Sequence, residues 1–205
     1  NILFESCSSG GARFDPGMLY YAPQTWTSDD TDAMERIKIQ YGTSYVYPLS
    51  SMGSHVSAVP NQQVGRVTPL STRADVALFG TFGYELDLNR LTEKEKDLIK
   101  DQICFAKKYR TLIQQGVFYG NESAWMVVSE DKNEALVGYY NFLSVPNGPW
   151  KRLYLKGLDK DKKYIMDEEH LKLYTGDELM NAGIVINSKH HSDFSSEIFV
   201  FRSME

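Results

Sequence analysis

The chain has 205 residues, room for one large domain or two small ones, with 42% apolar and 24% charged residues and hence a globular composition. Its 27 acidic residues outnumber 22 basic ones, for a net charge of −5, which argues against the basic face that nucleic-acid binding needs. No apolar run approaches the ~20 residues of a membrane span, and two cysteines, Cys7 and Cys104, are too few for a disulfide framework or a structural zinc site.

In chain order, Asn1 to Glu5 is a short apolar strand candidate without an initiator Met, and we read the first residue as a cut through or just before a strand. Ser6 to Gly11 is a small-residue loop, Ala12 to Tyr21 a helical or irregular return, and Thr25 to Thr27 a second strand. Ser28-Asp29-Asp30-Thr31-Asp32 follows. Asp32 is placed to cap a helix, with Glu35 completing a capping box and Met34, Ile37 and Tyr41 at helical spacing. Strand, polar loop and helix, then the same again, is the pattern of β/α repeats. Beyond Tyr41 the chain reads as irregular through Ser51 to His55 and Val59 to Asn61. Ser71 or Thr72 is expected to cap a helix running towards Asp87, interrupted by Gly80 and Gly83. Thr92 and Glu95 form another capping box, ahead of a stripe of Ile99, Ile103, Ala106 and Ile113 and a stop at Gly116.

From Val117 the helical period is lost. Strands are predicted at Leu136 to Phe142, Arg152 to Leu155, Tyr164 to Met166, Gly183 to Ile186 and Glu197 to Arg202, separated by turn clusters such as Pro146-Asn147-Gly148-Pro149. Short strands at this spacing predict an antiparallel sandwich. The overall class is α+β.

Chemistry concentrates in the first 32 residues, where both strand-end loops hold unusual groups: Cys7 with Gly10-Gly11, then Asp29, Asp30 and Asp32. A carboxyl group just after Trp26 suits a general acid, with the indole as a sugar platform or a dry wall. Successive residues of an extended segment point oppositely, so only one of Asp29 and Asp30 is expected to face a site, and the spacing alone does not say which. Asp32 reads better as a helix cap, His55 as structural support, and His190-His191 as a solvated turn. Tyr139, Tyr140 and Trp150 read as core or interface residues.

The strings Phe4-Glu5-Ser6-Cys7-Ser8-Ser9-Gly10-Gly11-Ala12-Arg13-Phe14-Asp15 and Trp26-Thr27-Ser28-Asp29-Asp30-Thr31-Asp32 resemble two signatures of glycoside hydrolase family 36, the α-galactosidases related to melibiase. Ile37 to Thr43, Ser51 to Asn61, Leu155 to Asp159 and Gly176 to Gly183 extend the likeness over most of the chain. The resemblance implies the last β/α units of a (β/α)8 TIM barrel over residues 1–90, a connecting helix over 91–116, and an antiparallel C-terminal β-sandwich over 117–205. It implies a retaining mechanism, in which two carboxylates about 5–5.5 Å apart serve as nucleophile and acid/base. Asp29 matches the acid/base. The nucleophile belongs to a Lys-Trp-Asp motif that these 205 residues lack, so the chain alone is expected to be inactive.

By the same resemblance Cys7 and Gly10 line the galactose pocket, Trp26 shapes its wall, and Arg13 contacts substrate or a carboxylate. Two positions depart from the family: Ala12 stands where Gly is frequent, and Asp30 where Asn is usual. The implied substrates are α-galactoside oligosaccharides of the melibiose and raffinose type. No cofactor or metal is implied, and a cytoplasmic, homo-oligomeric parent is expected. The competing reading is a non-catalytic carbohydrate-binding or assembly module.

Overall fold

The computed structural model describes residues 2–7, 15–166, 172–186 and 192–204. The chain divides into two compact units, residues 1–114 and 115–205.

The first unit is built on four parallel strands, β1 (Glu5–Ser6), β2 (Gln24–Trp26), β3 (Met52–Ser57) and β4 (Thr81–Glu85), which lie side by side in chain order. Parallel neighbours need crossovers, and helices supply two of them: α1 (Ala33–Ser44) between β2 and β3, and α2 (Leu70–Ala77) between β3 and β4. The long helix α3 (Glu93–Gln115) follows β4. One core of the unit gathers Val56, Leu70, Ala74, Ala77 and Ile99, with Phe82, Tyr84 and Ile103 packed against it.

The strand and helix expected in the first 50 residues are present, with shifted bounds: β1 begins only at Glu5, and β2 ends at Trp26. Asp32 caps α1 as expected, its Oδ2 accepting from the N–H groups of Met34 and Glu35 at 3.1 Å each. The second half of the expected capping box is not made. Asp30 Oδ1, at 3.0 Å, takes the Asp32 N–H that Glu35 was expected to hold, and Glu35 is drawn instead to Lys38 and Arg66.

Two further expectations are overturned. Ser51 to His55, read as irregular, carries the central strand β3, five of whose six residues are buried. Buried on both faces, it shows no alternation, and Val56 is its one β-branched residue among Gly, Ser, Met and His. The helix expected to run towards Asp87 ends at Ala77, and Gly80 and Gly83 belong to the approach and body of β4. Pro69, without a side-chain bond, opens α2, so Ser71 and Thr72 lie inside the helix. The glycines are close-approach residues: a Cβ on Gly80 would stand 2.7 Å from Ser54 Cβ, and one on Gly83 2.7 Å from His55 Cδ2.

Buried polar groups tie the crossovers to the sheet. Gln40 on α1 donates to the carbonyls of Val76 and Phe79 at 3.3 and 3.2 Å while accepting from Ser54 Oγ at 3.0 Å. Ser57 Oγ donates to the Thr31 carbonyl at 2.7 Å, and Asn61 Nδ2 to Thr31 Oγ1 at 3.2 Å, fastening the end of β3 to the loop before α1. The Thr92–Glu95 box forms in full, and Ile99, Ala106 and Ile113 are buried on α3, which stops directly before Gly116.

The second unit is antiparallel throughout. Strands β5 (Val117–Gly120), β6 (Ala124–Val128), β7 (Glu134–Asn141), β9 (Lys163–Met166), β10 (Lys172–Thr175) and β12 (Ser195–Ser203) form a six-stranded sheet in the order β10-β9-β12-β7-β6-β5. Strands β8 (Lys151–Leu153) and β11 (Ile184–Ile186) pair as a two-stranded sheet. All five predicted runs contain strands. Leu153, Ile184 and Ile186 of the small sheet share one core with Met126, Val137, Tyr164 and Phe201 of the large one. The turn at Asn147 is as expected, with positive φ there; a second turn has Lys132 at positive φ and Asp131 accepting from Asn133 N–H. Tyr139 and Tyr140 are buried, whereas Trp150 is exposed. His190 and His191 lie outside the described residues.

Candidate active site

In parallel α/β structures, functional groups collect beyond the C-terminal ends of the strands. Here β1 runs into Cys7, β2 into Thr27, Ser28 and Asp29, and β4 ends at Glu85. Parallel pairing of Ser6 with Thr25 brings the first two ends together, and Thr25 Oγ1 donates to the Ser6 carbonyl at 3.1 Å. Cys7 is exposed and carries a free thiol. Gly10 and Arg13 lie outside the described residues. Asp15 is committed elsewhere, its Oδ1 capping a short 3-10 turn (Pro16–Tyr20) through Gly17 and Met18 N–H.

Asp29 and Asp30 differ in what their side chains touch. Asp30 is part-buried and folds back on its own loop: its N–H donates to Ser28 Oγ at 3.1 Å, and its carboxylate accepts from the Asp32 N–H. That second bond spends Asp30 on the start of α1. Asp29 is exposed at the bend after β2.

Pairing registers set which side chains share a face. Trp26 is opposite Gly53, Gly53 opposite Thr81, and His55 opposite Gly83. Glu5, Trp26, His55 and Glu85 therefore line the sheet face away from the α2 core. Gly53 leaves room for two of them, since a Cβ there would lie 3.0 Å from Trp26 Cε3 and 3.1 Å from Glu5 Oε2. Glu5 accepts from Gln24 Nε2. Trp26 is only 9% exposed, with the His55 ring centroid 4.7 Å from its own. So enclosed, the indole has little of its face open.

Arg36 was not foreseen as part of this region. It is 3% exposed, and its guanidinium carbon lies 4.3 Å from the Trp26 ring centroid. Nη1 donates to Thr27 Oγ1, and Nη2 donates to the Ser28 carbonyl at 2.8 Å. Burial lowers its pKa to about 10, against the opposing pull of Glu85, Asp30 and Asp29, so it remains a cation at neutral pH. Burial likewise lowers the pKa of His55, opposed by Glu5 and Glu85 and reinforced by Arg36. The signal for Arg36 was present in the helical period: Ala33, Arg36, Ile37 and Gln40 form the buried stripe of α1, and a charge on such a stripe requires a buried partner. Among the described residues no three His, Cys, Asp or Glu side chains are grouped to hold a metal ion, and no helix is long and apolar enough to cross a membrane.

Residues 1–116 match the family model for melibiase, and residues 122–201 that for the C-terminal domain of glycosyl hydrolase family 36. The α-galactosidase AgaA of Geobacillus stearothermophilus is 56% identical across the entire chain, and Mel36A of Lactobacillus acidophilus is 45% identical, also across all of it. The chain spans 29% and 28% of the length of these two relatives. A crystal structure of an AgaA variant in complex with raffinose superposes on 99% of the chain with a TM-score of 0.94, covering 29% of that structure. With more than half its length matched by the melibiase model and the remainder largely by the family's C-terminal domain, the chain belongs to glycosyl hydrolase family 36.

Proposed function

We propose that this chain is the acid/base-bearing part of a retaining α-galactosidase that removes terminal α-linked galactose from oligosaccharides of the raffinose and melibiose type. Residues 1–90 are the closing β/α units of its catalytic (β/α)8 barrel, residues 91–116 a connecting helix, and residues 117–205 a β-sandwich. The relative crystallised with raffinose supports the substrate class. One observation carries the assignment of Asp29: its neighbour Asp30 is bound to the backbone of Asp32, whereas Asp29 stands exposed at the end of β2.

In the first step, a carboxylate on a segment outside this chain attacks the anomeric carbon. The glycosidic C–O bond breaks, and Asp29 gives its proton to the departing oxygen. In the second step, the Asp29 carboxylate takes a proton from water as that water attacks the anomeric carbon, and the nucleophile leaves with its electron pair. Cys7, Gly10 and Arg13 contact the galactosyl unit, and Trp26 forms the dry wall behind it. A wall that excludes water strengthens the field acting on the transferred proton.

The test compares hydrolysis of raffinose and of a chromogenic aryl α-galactoside by the chain alone, by the longer protein containing it, and by that protein with Asp29→Ala. The chain alone is expected to be inactive. Asp29→Ala should lose about 10²–10⁴-fold on raffinose, the range a general acid supplies, and far less on an aryl substrate whose leaving group needs no proton. Turnover by the isolated chain would overturn the reading by placing both carboxylates within these residues.

A further inference from the structure

We propose that Arg36 is a positioning residue for catalysis, holding the loop that carries Asp29 so that its carboxyl group meets the glycosidic oxygen; this inference rests on the acid/base assignment above. The guanidinium touches three consecutive residues immediately before Asp29. It lies over the ring of Trp26, donates to the hydroxyl of Thr27, and donates to the carbonyl of Ser28. Its Nη1 also reaches towards the Gly53 carbonyl on the neighbouring strand, at 3.5 Å. One rigid planar fork thus pins the end of β2 against α1 and β3.

A buried cation ordinarily requires a paired carboxylate. Glu85, Asp30 and Asp29 act on Arg36 through space, while its direct contacts among the described residues are neutral oxygens and an aromatic face. The cost of burying that charge is the reason to look for a role beyond packing. The other end of the loop is fixed separately, by Asp30 on Asp32 N–H and by Asp32 on the start of α1. Asp29 is therefore suspended between two anchored points, with its own side chain left exposed. A proton donor displaced by about 1 Å loses on the order of 10²-fold in rate, so the fork has enough leverage to matter. Lysine would supply the charge but not the planar two-point geometry.

The experiment uses the longer protein containing this chain, with Arg36→Met, Arg36→Lys and Asp29→Ala assayed in parallel. For Arg36→Met, kcat/KM on raffinose is expected to fall about 10²-fold, with less than about threefold change on a 2,4-dinitrophenyl α-galactoside. Arg36→Lys should recover part of the loss. An equal fall on both substrates would make Arg36 a purely structural residue and overturn the proposal, as would no fall on either.

Should Arg36→Met fail to fold, Thr27→Val removes one of the fork's acceptors without the buried charge. Its raffinose rate should fall about three- to tenfold, again sparing the aryl substrate. Amide hydrogen exchange separates this proposal from the one beneath it. In Arg36→Met the N–H of Asp30 should exchange at least about tenfold faster, with Ala74 and Ala77 in α2 unchanged. If Asp29→Ala hydrolyses raffinose normally, the acid/base assignment falls while faster exchange at Asp30 still upholds the anchor. If exchange at Asp30 is unchanged, Arg36 does not hold the loop, whatever the kinetics of Asp29→Ala.

Discussion

Gly83→Ala tests how tightly the floor of the candidate site is packed. An ideal Cβ on Gly83 would lie 2.7 Å from His55 Cδ2 and 3.0 Å from His55 Nε2. Ordinary carbon–carbon contact is about 3.5–4.0 Å, so the ring must move by about 1 Å. It has little room to do so, because Trp26 lies against it at 4.7 Å between centroids, and Arg36 lies against Trp26. Overpacking of this kind costs about 1–3 kcal/mol, offset by about 0.4–1 kcal/mol from the lower chain entropy of alanine in the unfolded state. A net loss of about 1–2 kcal/mol is expected. Thermal unfolding followed by circular dichroism at 222 nm reports on the first unit, which holds nearly all the residues of the three α-helices. At about 4–8 °C per kcal/mol, the midpoint should fall by about 4–16 °C. In a His55→Ala background the same substitution should be nearly neutral, because the atoms it strikes are gone. An equal cost in both backgrounds would refute the packing argument and move the strain elsewhere.

Stability of the first unit should fall as pH drops below about 6.5, the ordinary value for histidine, because burial lowers the pKa of His55 in the folded state. The unfolded chain then binds a proton more readily than the folded one, so stability is complete above that pH and declines towards the folded value. Urea midpoints of the wild type and of His55→Gln, compared between pH 7.5 and 5.5, should converge as the pH falls; parallel curves would remove His55 as the cause. Asp32→Ala removes the cap from α1 and should cost about 1–2 kcal/mol, with faster exchange at the Met34 and Glu35 amides that Asp32 holds. Asp32→Asn keeps an acceptor at the same place and should cost less, which the same exchange measurement checks.

Much of the chain could be read from near neighbours. The caps of α1 and α3, the stripe of α3 and the turns at Asp131 and Asn147 follow from bonds spanning two to four residues, which a sequence displays directly. The two strings around Cys7 and Asp29 were legible for the same reason, as uninterrupted runs of particular residue types. Class α+β and membership of the family were accessible at this level.

Longer-range relations were decided only by the tertiary structure. Apart from Val56, strand β3 is made of residues with weak strand preference, and it forms because β2 and β4 flank it and both its faces are buried. Gly80 and Gly83 read as helix breakers in sequence, yet in the sheet they are the gaps that admit Ser54 and His55 from the neighbouring strand. The alternation rule could say that Asp29 and Asp30 diverge. What separates them is the Asp32 N–H and the fork of Arg36, two partners brought into place by the turn of the chain into α1. Sequence order records residue types and short spacings. The helical period of α1 marks Arg36 as buried, but its place beneath the end of β2 depends on three elements meeting in space, and no local pattern encodes that meeting.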